Sequence, residues 1–322
     1  MTERLRGQTI LITGATGFIG SHLAKRLVDA GAHVRCLVRS GKALPEGMVA
    51  VPGDLRNPVQ LDPSDIVFHL AGVTKGSDAQ AYFHGNVETT KNLLAALRTR
   101  RLVHVSSLAV MGPSRDGNPL DENALTRPVS DYGRSKLDAE RAVRTSEFAS
   151  AAVIVRPPVV YGPGDRDVFE VFRAASKGFF FRIGRVERYF SYVFVDDLVD
   201  GLISAATIDS AAGKTFFLAS PSPVSWTEFA DRIESLMNRK CKVVSLPESV
   251  AFAAAEVAEK LSRLGLAPKV LTRDKVREAR HRYWICGTAH AESVLGFRAK
   301  TSLDEGLATT LTWYKNSKWL KS

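Results

Sequence analysis

The chain has 322 residues, 45% of them hydrophobic and 24% charged, with a formal net charge of +10. That balance excludes a disordered or fibrous chain and gives enough length to bury a core without covalent staples. Cys36, Cys241 and Cys286 lie far apart with no C-x-x-C pair, which argues against a disulfide framework or a metal site and for a reducing compartment.

The first residues, MTERLRGQTI, lack the apolar core of a secretory leader. No apolar run reaches the roughly 18 residues that a membrane span needs. A cytoplasmic chain without an integral membrane segment is expected. Gln8 to Ile12 then reads as a short buried strand, and Thr13 to Gly20, TGATGFIG, opens a helix with Ile19, Leu23, Leu27 and Ala30 on one stripe. Strand, glycine turn and helix together are the setting of a dinucleotide site. Gly14 suits the tight turn, Gly17 a close approach of pyrophosphate, and Gly20 close packing of helix on strand. The phosphates would rest on the free N–H groups of the helix start.

Val34 to Val38 reads as the second strand and ends at Arg39-Ser40, about 20 residues past the last glycine. An acidic residue there would hold the ribose hydroxyls of NAD. Arg39 suits a 2′-phosphate instead, so NADP(H) is expected over NAD(H). Strands follow at Met48 to Val51 and Asp65 to Leu70, a helix from Asn86 to Leu97, and a strand from Leu102 to Ser106 that leads into Ser107. His69, His84 and His104 read as packed groups. The alternation predicts an α/β, doubly wound parallel sheet, Rossmann-like, with ligands at the strands' C-terminal ends. The glycine turn, Arg39, Asp54, Ala71 and Ser107 all fall at such ends.

Tyr132 and Lys136 are four apart in DYGRSK and share one helix face. A phenol with an ordinary pKa of about 10 is a poor base near neutrality. A nearby ammonium is expected to lower that value and make Tyr132 a usable acid/base. Ser107 could hydrogen-bond a substrate oxygen as charge develops on it.

The wide glycine spacing of TGATGFIG, with VSSLAVMG (Val105 to Gly112) and then YGRSK (Tyr132 to Lys136), resembles the extended short-chain dehydrogenase/reductase superfamily over essentially the whole chain. The resemblance implies a catalytic Ser107, Tyr132 and Lys136, with Lys136 also holding the nicotinamide ribose. It implies cofactor contacts from Gly14, Thr16, Gly17, Phe18, Ile19 and Gly20 in the turn. Further contacts would come from Asp54 and Leu55 at the adenine, from Leu70, Ala71 and Gly72 beneath the cofactor, and from Pro158. Family members often dimerise through the Tyr-Lys helix and the one before it, which implies a homodimer.

A boundary is expected near residue 160, with a Rossmann domain over 1–160 and a substrate domain of α+β type over 161–322; the resemblance implies interleaving, with 193–207 returning to the first domain. Asp196 and Asp197 read as helix-dipole partners. Ser225/Glu228 and Ser302/Glu305 read as capping boxes. Val250 to Leu264 reads as a lid or packed helix, with an interfacial helix as the alternative. The nucleotide-sugar members carry an Asn where Val159 stands and an Arg where Phe190 stands, the arginine here being displaced to Arg188. Phe179, Phe180, Phe181, Tyr189, Phe190 and Tyr192 gather near the start of the substrate half, resembling the hydroxysteroid dehydrogenase and dihydroflavonol reductase branch. The expectation is NADP(H)-dependent hydride transfer to or from a hydrophobic ketone or secondary alcohol. The alternatives are a nucleotide-sugar epimerase or dehydratase, and a non-catalytic NADP-binding sensor. No nucleic-acid partner is expected, because no binding-module pattern accompanies the spread-out basic residues.

Overall fold

The structure, a computed structural model, describes residues 2–39, 44–263 and 272–320. Ser40, Leu264 and Leu271 lie outside the described residues.

The first half supplies β1 (Thr9–Thr13), β2 (His33–Val38), β3 (Met48–Pro52), β4 (Ser64–His69), β5 (Thr99–Val105) and β6 (Ala152–Val155). They pair in the order β3-β2-β1-β4-β5-β6, and Thr215–Phe216 adds a seventh strand beside β6, all neighbours running parallel among the described residues. The order reverses between β1 and β4, which opens a crevice at their C-terminal ends.

The helices are α1 (Phe18–Asp29), α2 (Ala79–Tyr82), α3 (Thr89–Ala96), α4 (Asp131–Arg144), α5 (Asp167–Ala175), α6 (Val195–Thr207), α7 (Trp226–Met237), α8 (Glu248–Arg263), α9 (Arg273–Ala279), α10 (Ala289–Leu295) and α11 (Leu303–Asn316). Alternate strand residues feed two cores, as a pleated sheet buried on both faces requires. Ile10, Ile12, Ile66, Phe68, Val153 and Val155 join Leu23, Leu27, Leu198 and Leu202 of α1 and α6. Leu11, Val67 and Ile154 join Leu93 and Val143 of α3 and α4 on the other face. A third core, with Phe172, Phe180, Phe229, Leu307 and Tyr314, lies in the second half of the chain.

The helix expected from Asn86 differs in one respect. α2 runs into a π-helical turn over Phe83–Glu88 before α3, so Asn86 lies inside a widened turn. The short strands Val159–Tyr161, Tyr189–Phe190, Tyr192–Phe194, Val224–Ser225 and Tyr283–Trp284 are too brief to show a period in sequence. Ser225 caps α7, and the full capping box forms only at Ser302 and Glu305. Asp196 and Asp197 do more than serve a helix dipole: Asp196 meets His22, and Asp197 accepts the Lys300 and Thr301 N–H groups. Among the described residues, no helix is long and apolar enough to cross a membrane.

Candidate active site

The glycine turn is shaped by contacts that leave no room for side chains. Gly14 has φ +78°, and a Cβ there would stand 2.7 Å from the Ala71 nitrogen across the crevice. A Cβ on Gly20 would stand 2.1 Å from the Gly14 carbonyl oxygen. Gly20 thus lets α1 close on the turn itself, where packing on the strand was expected. Gly17 is the N-cap of α1 and provides no side-chain cap, and the first turn holds no acidic residue. That uncapped N-terminus, with Thr16 and Gly17 exposed, suits an anion.

Around the turn, Thr13 Oγ1 accepts the Ala71 N–H at 3.1 Å and lies 2.7 Å from His69 Nδ1. His69 Nε2 lies 3.0 Å from Thr90 Oγ1, whose own proton goes to the Asn86 carbonyl. This chain assigns the Nε2–H tautomer to His69, with Thr13 donating to Nδ1. Burial, helped by Lys136, pushes the His69 pKa down to about 3, so the ring is neutral. His69 is packed, as expected, and so is His104, whose pKa burial also lowers, whereas His84 is exposed and meets the Gln80 amide across one helical turn, at 3.0 Å.

Asp54 is engaged by Arg56, whose Nε lies 2.9 Å away, and the Arg39 charge also bears on it. Two guanidinium groups therefore frame the ends of β2 and β3, and only one was anticipated. The Leu55 side chain is buried, and its carbonyl accepts from Asn92.

Ser107, Tyr132 and Lys136 converge at the end of β5. The Ser107 hydroxyl caps a short helical turn by accepting the Ala109 N–H and is close enough to the Tyr132 phenol to bear on its ionisation. Ser106 is buried, and its hydroxyl has no partner among the described residues. Lys136 Nζ donates to the Val105 carbonyl at 2.8 Å. A Cβ on Gly72 would lie 3.9 Å from that ammonium and 2.7 Å from Asn86 Oδ1. Asn86 holds the crevice loop through both Val73 backbone groups and donates to Ser135. Gly133 closes the arrangement: a Cβ there would stand 2.5 Å from the Ala109 carbonyl oxygen. Pro157 is buried with its carbonyl accepting from Leu108, and Pro158 is half-buried.

The electrostatics depart from expectation. Burial pushes the Tyr132 pKa up to about 12; the Ser107 hydrogen bond opposes this, while Glu278 and Asp167 add to it. Lys136 does not reverse the balance, since with its own pKa lowered it is neutral before the phenol ionises. Burial lowers Lys136 to about 8, against the pull of Glu140.

The aromatic residues divide. Phe180 packs near Trp226, Phe190 against Phe229, and Tyr192 against Tyr161, all edge-to-face. Phe179 and Phe181 are exposed. Arg188 donates to the Val186 carbonyl. A cavity of about 830 Å³, lined by Glu122, Arg144, Lys214 and His290 among others, lies at the opposite end of α4 from Tyr132. The expected dimer face of α4 shows exposed Arg134, Arg141 and Arg144, the first two paired along the helix with Asp131 and Asp138.

Residues 10–219 match the family model of the NAD dependent epimerase/dehydratase family. The chain is 28% identical over 330 residues to "Ceramide reductase" of Caulobacter vibrioides, covering 99% of this chain and 98% of that protein. It is 31% identical over 268 residues to a "4-hydroxy-2-methyl-3-oxo-4-farnesyl-3,4-dihydroquinoline-1-oxide ketoreductase" of Stigmatella aurantiaca, covering 78% of this chain and 80% of that one. A solved structure, "MoeE5 in complex with UDP-glucose and NAD", superposes with a TM-score of 0.78 at 28% identity over 96% of this chain and 99% of that one. The parallel sheet, the glycine turn and these matches lead to one statement: the chain belongs to the NAD-dependent epimerase/dehydratase family of the extended short-chain dehydrogenase/reductase superfamily, as an NAD(P)-dependent enzyme.

Proposed function

We propose that this enzyme is an NADP(H)-dependent reductase of an apolar ketone, working through Ser107, Tyr132 and Lys136. The observation that carries the reading is their convergence: the Ser107 hydroxyl close enough to bear on the Tyr132 phenol, with the Lys136 ammonium beside Gly72 in the crevice. When bound, the nicotinamide supplies the hydride. Ser107 orients the carbonyl oxygen, Tyr132 gives it a proton, and Lys136 is placed for the nicotinamide ribose. The residues fit a dinucleotide: Gly14, Thr16, Gly17, Phe18, Ile19 and Gly20 at the open start of α1, and Leu70, Ala71 and Gly72 across from them. Asp54 and Leu55 would face the adenine, and Pro158 would offer ring surface.

Arg39 and Arg56 support a 2′-phosphate, since both guanidinium groups bear on Asp54 at the end of the crevice. The apolar substrate is supported by the ceramide and farnesyl substrates in the relatives' names. Phe190 packed against the core and Arg188 turned to a backbone carbonyl speak against a nucleotide diphosphate. The likeness to the UDP-glucose complex favours a second reading, an epimerase or dehydratase of nucleotide sugars with bound NAD.

The test is a panel of long-chain ketones and nucleotide sugars, each with NADPH and with NADH, followed by absorbance and by product analysis. NADPH consumption with the ketones, lost by orders of magnitude in Tyr132→Phe, is the expected result. Sugar turnover without net NADPH consumption would replace the first reading with the second. Equal or tighter binding of NAD in a competitive titration would remove the NADP assignment.

A further inference from the structure

The second half of the chain carries a two-stranded parallel ribbon, Phe179–Ile183 paired with Lys242–Leu246. Alternation along the first strand sends its phenylalanines to opposite faces. Phe180 points inward and is buried in the core with Phe172, Phe229 and Ile233. Phe179 and Phe181 point outward, and Ile183, next on that face, packs against Ala251, Ala255 and Val276 of α8 and α9. Helices thus cover one end of the outer face and leave the other open. Phe179 is 43% and Phe181 55% exposed, with Val243 of the neighbouring strand at 46%. Among the described residues the one other exposed phenylalanine is Phe83, and the Lys91 ammonium lies over its ring. A contiguous apolar face open to water marks a surface that another phase or molecule covers.

The charges beside this face have one sign. Lys242 is in register with Phe179, and its N–H donates to the Gly178 carbonyl at 2.8 Å. Arg239 lies over Gly178, where a Cβ would stand 3.7 Å from its Nε and Nη2. Lys177 precedes that glycine. All three cations are exposed, and none takes part in an ion pair among the described residues. The carboxylates close by are engaged elsewhere: Glu234 by Lys240 at 3.2 Å and by the Cys241 N–H at 2.8 Å, and Glu170 by Arg173. α8 differs. It exposes Val250, Val257 and Leu261, but its charges cancel in pairs, Glu248 with Arg280, Glu256 with Lys260 and Glu259 with Arg273. A second copy of the chain in a two-fold contact would set Lys177, Arg239 and Lys242 against themselves, which like charges oppose. An anionic bilayer complements both parts, with negative headgroups for the cations and the acyl boundary for the two rings.

We propose that the open end of this ribbon is a docking surface for an anionic phospholipid bilayer, with Phe179 and Phe181 at the acyl boundary and Lys177, Arg239 and Lys242 on the headgroups. The binding is peripheral and reversible, since two rings and three cations fall far short of a spanning helix. The surface is one helix removed from the catalytic tyrosine: α9, whose Val276 packs with Ile183, also holds the Asp131 and Tyr132 N–H groups through Asp274. One consequence rests on the reductase reading, that an enzyme held there meets an apolar ketone where such a compound dissolves. The docking itself does not rest on it.

The test is flotation of the full chain with vesicles of phosphatidylcholine alone and with about 30 mol% phosphatidylglycerol. No ketone is present, so the result is separate from the reductase reading. Expected is binding to the anionic vesicles, little to the neutral ones, and release between about 50 and about 500 mM salt as the charges are screened. Lys177→Gln with Lys242→Gln should weaken binding about 25-fold, at about fivefold for each cation near the surface. Phe179→Ser with Phe181→Ser should weaken it at least about tenfold. Phe181→Trp should keep it and add an emission that brominated lipid quenches. No binding to anionic vesicles at low salt, or equal binding by the wild type and both double variants, overturns the proposal. A smaller oligomer in Phe179→Ser with Phe181→Ser, and no vesicle binding by the wild type, assigns the face to a second copy and also overturns it. Should a double variant fail to fold, Phe181→Trp decides: an added emission that the lipid leaves unquenched overturns the docking.

Discussion

At the scale of single residues, the site depends as much on absent side chains as on present ones. Gly133 lies beside Tyr132 in sequence, yet its task is spacing: it lets α4 rest on the turn that carries Ser107. With Ala109 oxygen 2.5 Å from where a Cβ would be, Gly133→Ala must push the helix away. The expected result is a loss of about 100-fold in kcat, as for a displacement of roughly 1 Å between reacting groups. Cofactor affinity should stay nearly constant, because the glycine turn is untouched. Steady-state kinetics beside a cofactor titration check this; unchanged kcat would show that Ser107 and Tyr132 need no such contact. Gly133 is visible in YGRSK, but its partner oxygen lies on another element, so no local pattern could reveal the role.

At the scale of elements, α4 is anchored along its whole length. Its start is held by Ser130, Asp274 and Glu278, its middle by Lys136 on β5, and its second half by Glu140. Glu140 and Arg156 are both buried and bonded bidentately, at 2.9 and 2.7 Å, and Arg156 follows directly on β6. Two ions were taken out of water to form this pair, so removing one leaves the other stranded. Glu140→Ala should cost about 3–5 kcal/mol in denaturant unfolding. Replacing both residues by apolar ones of similar volume should cost far less than the sum of the two single changes. A loss under about 1 kcal/mol in Glu140→Ala would mean the pair is solvated in solution. In sequence these residues are 16 apart on different elements, with nothing to mark them as partners.

At the scale of the whole molecule, His22 joins parts of the chain that are distant in sequence. Its Nε2–H donates to the Pro163 carbonyl at 2.8 Å, and Nδ1 lies 2.9 Å from the Asp196 carboxylate. Burial works against the imidazolium, but the bonds to Asp196 and Pro163 outweigh it and raise the pKa. A raised histidine pKa gives stability that is fully present below about 6.5 and lost as pH rises through the folded-state value. The wild type should therefore lose about 1–2 °C of Tm more than His22→Gln between pH 6 and pH 8. Calorimetry of both proteins over that range checks it. A parallel fall in the two would show that folding leaves the His22 pKa unchanged.

The sequence by itself determined the strand order's raw material, the glycine turn, the serine strand end and the Tyr-Lys face. Each is written in a local period or spacing of two to four residues, which short-range sterics impose before any tertiary contact forms. Only the tertiary structure decided what surrounds them. The π-turn that seats Asn86, the Arg56 beside Asp54, the buried Glu140–Arg156 pair and the α9 carboxylates are all meetings of distant segments. The ionisation of Tyr132 shows the difference most directly. From sequence, the lysine four residues away is expected to lower its pKa. In the fold, burial and the carboxylates of α5 and α9 raise it to about 12, because desolvation and charge act through space, not along the chain.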